Sequence, residues 1–361
     1  MNINYNVRKL DYRSRIRNLD VQAQSNLKSN KFFPVFQIDG KEKIFKPLSK
    51  TKPLTTPYFA YSEVVWSTIL HDFFDSTTPI YELAIIENIE DDFENKYHHG
   101  VLVDNLVNRN EKLINLYEYF RDNPEDVFIY QDYINYCCKF YEFQWIYKTR
   151  FMKNHRDIVE KLSYQILLSI LKCDQNYHYE NLLFKSIDGH IVNIAPMIDH
   201  EFSSMFLYLD DLDLNRSYYE KAVVSLSLAN VINPKDIKSI FAQLHYEAFG
   251  TLSKNLNAVL INFPAMAYYF LKKLSIFLEH IKNNPIVLED KGYLVPFNSL
   301  NYKIGEQLYK EHNLEEIERL RKNEITEQFN SNINEVSNIV NREIIDFGSL
   351  LYNEMVRRLE K

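Results

Sequence analysis

Hydrophobic and polar positions change their period about a third of the way along the chain. In the first part, apolar residues form short runs that are typical of strands, with one helix-like run at 59–74. The predicted strands are 32–38, 41–47, 81–89 and 99–107. Residues 1–30 are polar and basic without a clear period, so we expect an arm or a short lead-in there. The first part is therefore predicted to be mostly β with one helix.

In the second part, apolar residues recur at spacings of three and four, which is typical of helices packed on a core. The helix predicted at 234–250 has Pro234 at its first position and Gly250 just past its end, both favoured there. The other predicted helices are 158–172, 265–281 and much of 303–360. The chain is thus predicted to be α+β, with a small β-rich part followed by a large helical part.

One hairpin interrupts the helical part. Two strand-like runs, 182–187 and 190–197, flank Asp188-Gly189, just as Asp39-Gly40 separates the first two predicted strands. Asp-Gly between such runs is a strong hairpin signal. Because antiparallel strands bring the two ends of a hairpin together, Asn181 and Asp199 should meet near the open end. Their oxygen atoms are the ligands that Mg²⁺ prefers, and phosphate oxygens and water usually complete its coordination.

The first part carries two further residues suited to phosphoryl transfer. Lys46 ends the strand after the first Asp-Gly turn, and Glu63 lies early on the following helix. In protein kinases a strand lysine grips phosphates and pairs with a helix glutamate, in this order along the chain. Taken alone, each residue would usually be an ordinary surface charge. Taken together with the hairpin residues, they favour a kinase.

Two motifs of the second part resemble those of the HipA-like kinases, a bacterial toxin family of serine/threonine kinases. The family's catalytic loop reads D-R-H-x-x-N, as it also does in phosphoinositide kinases, and residues 176–181 read NYHYEN. The family's metal aspartate ends a phrase like L-A-P-x-x-D, and residues 194–199 read IAPMID. Lys46-Pro47 and Ser62-Glu63 are similar to its strand lysine and helix glutamate.

The resemblance covers residues 32–206 and is patchy between 75 and 155. It implies a two-lobed protein-kinase-like fold, related to that of phosphoinositide kinases, and a short form of the family, since residues 1–30 leave no room for its long N-terminal subdomain. It implies ATP and Mg²⁺ as cofactors and a protein Ser or Thr as acceptor, often within a toxin–antitoxin pair. An antitoxin protein is therefore an expected partner.

The resemblance also implies a role for each matching residue. Lys46 would contact the α- and β-phosphates and Glu63 would orient Lys46. Asn181 and Asp199 would hold the metal, and His178 would support the catalytic loop. Ahead of the first strand, residues 25–30 read SNLKSN, without a glycine. Ser25 and Ser29 lie in this segment and are expected to be phosphate ligands or sites of autophosphorylation.

Asn176 stands where the family has its catalytic aspartate. An amide cannot accept the proton of a substrate hydroxyl, and general bases contribute about 10²–10⁴ in rate. Two interpretations stay open. The chain is an inactive form, natural or engineered, or Asp174 substitutes as the base. The spacing from position 176 to His178 and Asn181 matches that of the family motif, which favours position 176 as the position of the general base.

Two other functions are alternatives to a protein kinase. A pseudokinase or interaction module would bind nucleotide without transferring phosphate. A lipid or small-molecule kinase would use the same cleft, but residues 200–217 are acidic and apolar, whereas anionic lipid head groups favour a basic patch. His98-His99 is interpreted as a polar turn rather than a metal site.

Composition and charge exclude several other classes of protein. Only 7 of 361 residues are glycine, and no P-loop, Rossmann or nucleophile-elbow motif is present. The net charge of −7 argues against direct nucleic-acid binding. The 3 cysteines cannot form a disulfide framework. With no apolar leader and no apolar run of membrane-spanning length, we expect a cytoplasmic protein that does not bind a membrane.

The predicted organisation has three parts. Residues 1–24 form an N-terminal arm, and residues 25–108 form a β-rich N-lobe that grips the nucleotide phosphates. Residues 109–361 form a helical C-lobe with the catalytic loop and the metal-binding hairpin. ATP with Mg²⁺ would lie in the cleft between the two lobes.

Overall fold

The computed structural model has an α+β fold, as predicted, with a β-rich N-terminal part and a mostly helical C-terminal part. The residues that it describes are 3–20, 32–47, 56–88, 97–107, 110–126, 143–174, 181–198, 252–293 and 326–360. Among these, no helix is both long enough and apolar enough to span a lipid bilayer. The predicted boundaries between arm, N-lobe and C-lobe stay predictions.

Two sheets organise the strands. The strands are β1 Arg8–Asp11, β2 Arg17–Asp20, β3 Phe32–Ile38, β4 Lys41–Pro47, β5 Glu82–Glu87, β6 Tyr97–Asp104, β7 Lys112–Asn115, β8 Leu183–Ile187 and β9 His190–Ile194. The first six form one sheet in the order β1-β5-β6-β4-β3-β2, and the last three form a second sheet in the order β7-β8-β9. Strand β4 lies inside the larger sheet, between β6 and β3.

The structure differs from the expected arm at residues 8–20. Strand β1 pairs in parallel with β5, and β2 pairs antiparallel with β3, so both lie at the edges of the larger sheet. Each has only four residues and carries charged side chains. Short, charged strands are typical of sheet edges. Because these strands are polar, they do not show the alternation of apolar and polar residues that predicts a strand.

Both Asp-Gly hairpins are confirmed. Asp39 and Gly40 have φ angles of 50° and 79°, and Asp188 and Gly189 have φ angles of 50° and 83°. Two consecutive positive φ angles are those of a type I′ turn, whose twist matches that of the flanking strands. The sequence suggested that the second hairpin is alone among helices. The structure differs, because β7 pairs with β8 and extends the hairpin to a three-stranded sheet.

The helices are α1 Thr56–Phe74, α2 Leu116–Asp122, α3 Arg150–Asn154, α4 Arg156–Leu171, α5 Leu252–Asn262, α6 Pro264–Asn283 and α7 Thr326–Leu359. Three helices predicted from the sequence, at 59–74, 158–172 and 265–281, are confirmed as α1, α4 and α6. The helix predicted at 234–250 lies outside the described residues. The prediction for 303–360 is confirmed for the part that α7 occupies.

Helix α1 lies between the larger sheet and the C-terminal helices. Every residue from 60 to 70 is buried, which is expected of a helix that is covered on all sides. It packs on β5 and β6 on one side and on α6 on the other. One continuous apolar core therefore runs from the sheet through α1 into the helical part.

The larger sheet buries both of its faces. Leu83, Ile85 and Val101 belong to the main core that includes α1. Their neighbours along the strands point the other way and form a small second core of Phe36, Phe45, Ala84, Ile86 and Leu102. This alternation, which follows the two-residue period of a strand, determines which side chains of β4 face α1.

Candidate functional site

Lys46 and Glu63 form an ion pair. The Nζ atom of Lys46 lies 2.6 Å from Oε1 of Glu63. The Glu63 side chain is fully buried, and the Lys46 side chain is 20% exposed. Neither side chain is therefore an ordinary charge on the protein surface. The structure thus brings together the strand lysine and the helix glutamate that the sequence singled out.

Strand β4 directs Lys46 towards α1. Phe45 belongs to the small core on the far face of the sheet, so its neighbour Lys46 must point to the face that α1 covers. Lys46 pairs with Val101 of β6, and Pro47 pairs with Gly100. A Cβ atom at Gly100 would lie 2.3 Å from the carbonyl oxygen of Lys46. Glycine is therefore required for this close approach of β6 to the Lys46 backbone.

Glu63 is placed by the buried position of α1. A carboxylate without solvent contact is strongly destabilising unless a cation or hydrogen-bond donors compensate it. Lys46 supplies such a cation from the neighbouring strand. An ammonium that is held by a buried carboxylate and still reaches solvent on one side can bind a phosphate group, which is the chemistry expected of the pair.

The second hairpin places Asn181 at the entrance of β8, where it is half-buried. The two strands are joined near this end, since the amide of Ala195 donates to the carbonyl of Leu183 over 2.8 Å. The amide of Leu116 donates to the carbonyl of Leu182 over 3.0 Å, which fixes the entrance against α2. Asp199 lies outside the described residues, so its meeting with Asn181 stays a prediction.

Asp174 is buried and paired. Its Oδ2 atom lies 2.7 Å from Nζ of Lys172, and the two side chains are 2% and 0% exposed. Both residues follow the end of α4, directly before the segment 176–181. Sequence reasoning noted Asp174 but missed Lys172, whose only signal is a lysine at the end of an apolar helical stripe.

The backbone at this point forms a Schellman motif. The amide of Cys173 donates to Ile170 over 2.9 Å, and that of Asp174 donates to Ser169 over 3.0 Å. Cys173 has a φ of 52°, in the left-handed region that this motif requires and that glycine usually supplies. Its side chain is fully buried. A strained and well-anchored turn therefore leads into the predicted catalytic loop.

Four other predicted site residues lie outside the described residues: Asn176, His178, Ser25 and Ser29. Within the described ranges, no group of three or more His, Cys, Asp or Glu side chains is arranged to hold a metal ion. Asn181 is the described member of the predicted metal pair, and its amide oxygen suits a hard cation such as Mg²⁺.

His98-His99 is corrected from a polar turn to a pair of strand residues in β6. His99 is 2% exposed, and its ring lies edge-on to Tyr293, with centroids 5.1 Å apart. The interpretation as a turn failed because the strand begins at Tyr97, two residues earlier than the strand predicted at 99–107. The contact with Tyr293 joins positions far apart in the chain, and no sequence pattern signals it.

No known family profile matches the chain, and no curated protein matches it in sequence. A solved structure that is similar to this chain is the crystal structure of a Helicobacter pylori proinflammatory kinase, CtkA, at 12% sequence identity and a TM-score of 0.38. The similarity covers 74% of this chain and 98% of that chain. A match this distant assigns no activity to the present chain.

Proposed function

We propose that the protein is an ATP-dependent phosphotransferase of the kinase type that uses Mg²⁺. The observation that carries this proposal is the ion pair between Lys46 and Glu63, at 2.6 Å, with the glutamate fully buried. Burying a carboxylate is unfavourable unless a precisely placed cation or hydrogen-bond donors compensate its charge. A strand lysine held by a helix glutamate, followed along the chain by a helix, a loop and a hairpin, is the arrangement that kinases use.

In this proposal Lys46 binds the phosphates of ATP, and Glu63 holds the ammonium in place for them. Asn181 and Asp199 hold Mg²⁺, which neutralises the charge that develops on the phosphate oxygens. Position 176 is the position of the general base, and His178 supports the catalytic loop. Ser25 and Ser29 are the proposed phosphate contacts ahead of β3.

The finer assignment is a HipA-like serine/threonine kinase of the short form, acting in the cytoplasm within a toxin–antitoxin pair. This assignment is supported by the amino-acid sequences of residues 176–181 and 194–199. Lys46-Pro47 and Ser62-Glu63, which are similar to the family's strand lysine and helix glutamate, also support it. The acceptor would be a serine or threonine of a protein, and autophosphorylation at Ser25 or Ser29 is part of the proposal.

A second candidate is a pseudokinase that binds nucleotide without transferring phosphate. The observation that favours it is Asn176, because an amide cannot serve as the general base. The proposed phosphate grip of Lys46 and Glu63 is common to both candidates. The two candidates differ in whether a general base is present at position 176, so a single substitution at that position distinguishes between them.

The test compares the chain with its Asn176→Asp variant, using ATP labelled on the γ-phosphate, Mg²⁺, and casein, histone and the chain itself as acceptors. Lys46→Met serves as the control that lacks the phosphate grip. Calorimetric titration with ATP and Mg²⁺ measures nucleotide binding separately. We expect Asn176→Asp to transfer label at least about a hundredfold faster than the parent chain, and Lys46→Met to lose both binding and transfer.

Each outcome assigns the function. Binding of ATP by both forms without transfer by Asn176→Asp would identify the nucleotide-binding module instead of the kinase. Absence of ATP binding in the parent chain and in Asn176→Asp would overturn both candidates. Equal binding by the parent chain and Lys46→Met would remove the proposed role of the ion pair.

A further inference from the structure

We infer that Tyr61 and Tyr293 are positioning residues for the Lys46–Glu63 pair and that they act through the segment 284–293, called here the strap. The strap follows α6 and runs between α7 and the β-rich part. Tyr293 fixes the strand neighbour of Lys46, and Tyr61 fixes the helix that carries Glu63. The effect on ATP binding rests on the proposed function, whereas the effect on the ion pair does not.

The strap is anchored on α7. The amide of Ile286 donates to Oδ1 of Asn341 over 2.8 Å, and Nδ2 of Asn341 donates back to the Ile286 carbonyl over 2.7 Å. The amide of Leu288 donates to Oγ of Ser337 over 3.0 Å. Ile286 and Leu288 are each only 2% exposed. Buried, reciprocally bonded backbone of this kind has little freedom to move, so the strap is a rigid base.

Tyr293 connects the strap to β6. Its ring is fully buried, and its hydroxyl donates to the carbonyl of Gly100 over 3.1 Å. Its own amide donates to Oδ1 of Asp290 over 2.8 Å, which fixes the tyrosine in a tight turn. Gly100 faces Pro47 across the sheet and lies directly against the backbone of Lys46. Displacement of Gly100 would therefore displace Lys46.

Tyr61 connects the strap to α1. It is fully buried and lies two residues before Glu63. Its hydroxyl donates to the carbonyl of Glu289 over 3.1 Å. The rings of Tyr61 and Tyr293 meet edge to face, with centroids 6.1 Å apart and an angle of 89°. One rigid strap thus holds both the strand side and the helix side of the ion pair.

The pair depends on this alignment because a charged hydrogen bond of 2.6 Å tolerates little displacement. Replacing either tyrosine by phenylalanine keeps the ring and its packing but removes the hydroxyl. It also removes the donor from the carbonyl of Gly100, which is buried, or from that of Glu289, which is partly buried, and this favours a local shift of the backbone. The expected result is a displaced Lys46 or Glu63 in a chain that remains folded.

The test uses Tyr61→Phe and Tyr293→Phe, with Tyr164→Phe as the matched control. Tyr164 also donates to a backbone carbonyl on α1, that of Phe74, over 2.7 Å, but at the end of the helix far from Glu63. The first readout is the rate at which an amine-reactive acetylating reagent labels Lys46, measured by mass spectrometry. Lys185 is the internal reference, because it is 19% exposed and pairs with Glu111 at 3.1 Å. The second readout is ATP affinity with Mg²⁺.

We expect both strap variants to label Lys46 about three- to tenfold faster, the range that corresponds to the net value of one hydrogen bond. Labelling of Lys185 should not change, and Tyr164→Phe should label Lys46 as the parent chain does. The dissociation constant for ATP should rise by a similar factor in the strap variants alone.

Unchanged labelling of Lys46 in both strap variants would overturn the inference. Equal increases at Lys46 and Lys185 would also overturn it, because they would report general loosening of the fold. Faster labelling of Lys46 in a chain that does not bind ATP would support the positioning role and reject the proposed function, so the two failures are distinguishable.

Discussion

Glu63 and Asp174 are both carboxylates removed from water, and each is stable there because a lysine reaches it. Their surroundings differ in one respect. Lys46 retains contact with solvent, whereas Lys172 has none. A ligand can approach the first pair without breaking it. The side chain of Asp174 is only 2% exposed, and accepting a proton would cancel the charge that compensates the buried Lys172. Its geometry therefore favours holding the turn after α4 over acting as a substitute base.

This difference predicts a large stability effect at Asp174. We expect Asp174→Asn to lower the free energy of unfolding by about 3–5 kcal/mol, because it leaves the buried Lys172 without its counter-ion. The double variant Lys172→Met/Asp174→Leu should recover most of that loss. Urea unfolding followed by circular dichroism measures both.

Asp122→Asn is the matched control for this measurement. Asp122 pairs with Arg121 at the surface, where one ion pair contributes less than about 1 kcal/mol. A loss for Asp174→Asn as small as that of Asp122→Asn would contradict the anchoring role of the buried pair.

At the scale of elements, α1 is the part of the fold on which the site depends. It carries Glu63, covers the larger sheet and contacts α6. Its C-terminal end is held by Asp75, whose carboxylate accepts hydrogen bonds from Lys273 and Tyr269 of α6. These contacts connect the two parts of the molecule at the end of the helix opposite Glu63.

The connection at Asp75 predicts a pH dependence. The hydrogen bond from Lys273, and after it that from Tyr269, hold the pKa of Asp75 below its ordinary value of 3.8. A lowered carboxyl pKa contributes stability that is complete above the unfolded pKa and is lost as the pH falls through the folded pKa. The parent chain should therefore be more stable than Asp75→Asn at pH 6, and the difference should shrink by about pH 3.

Because this cluster is exposed, the difference at pH 6 should be less than about 1 kcal/mol. Urea unfolding at the two pH values measures it, and Asp346→Asn, at an exposed position of α7, is the control. A difference that grows as the pH falls would have the wrong sign and would exclude this role for Asp75.

Elements were predictable where the signal is local. Both Asp-Gly turns, α1, α4 and α6 follow from turn chemistry and helical period, and the structure confirms them. The edge strands β1 and β2 were not predicted, because four residues with charged side chains do not show a clear alternation. Strand β7 was also missed, and its pairing with β8 joins Asn115 to Leu183 across a long stretch of chain.

At the scale of the whole molecule, one apolar core includes residues of the larger sheet, α1 and the C-terminal helices. The chain has 2 tryptophans, and this core contains both, Trp66 on α1 and Trp145 ahead of α3. Parts that share a core lose it together. The β-rich and helical parts should therefore unfold in one transition, although they differ in structure.

The tryptophans provide the test. In Trp145→Phe the fluorescence reports Trp66 alone, and in Trp66→Phe it reports Trp145 alone. We expect the fluorescence midpoint in urea to coincide with the circular-dichroism midpoint within each variant, which is the test of a two-state transition. Loss of the Trp66 signal at a lower urea concentration than the helical signal would show that the β-rich part unfolds separately.

The sequence by itself determined the local features of this protein: two Asp-Gly turns, the helical periods, the α+β class, and the residues Lys46 and Glu63 with their order along the chain. Turn type and helical period depend on neighbouring residues, so they can be read without a structure. Only the tertiary structure decided which charges are buried and which distant residues meet. The 2.6 Å ion pair, the burial of Lys172 with Asp174, and the bond from Tyr293 to Gly100 depend on packing between segments far apart in the chain.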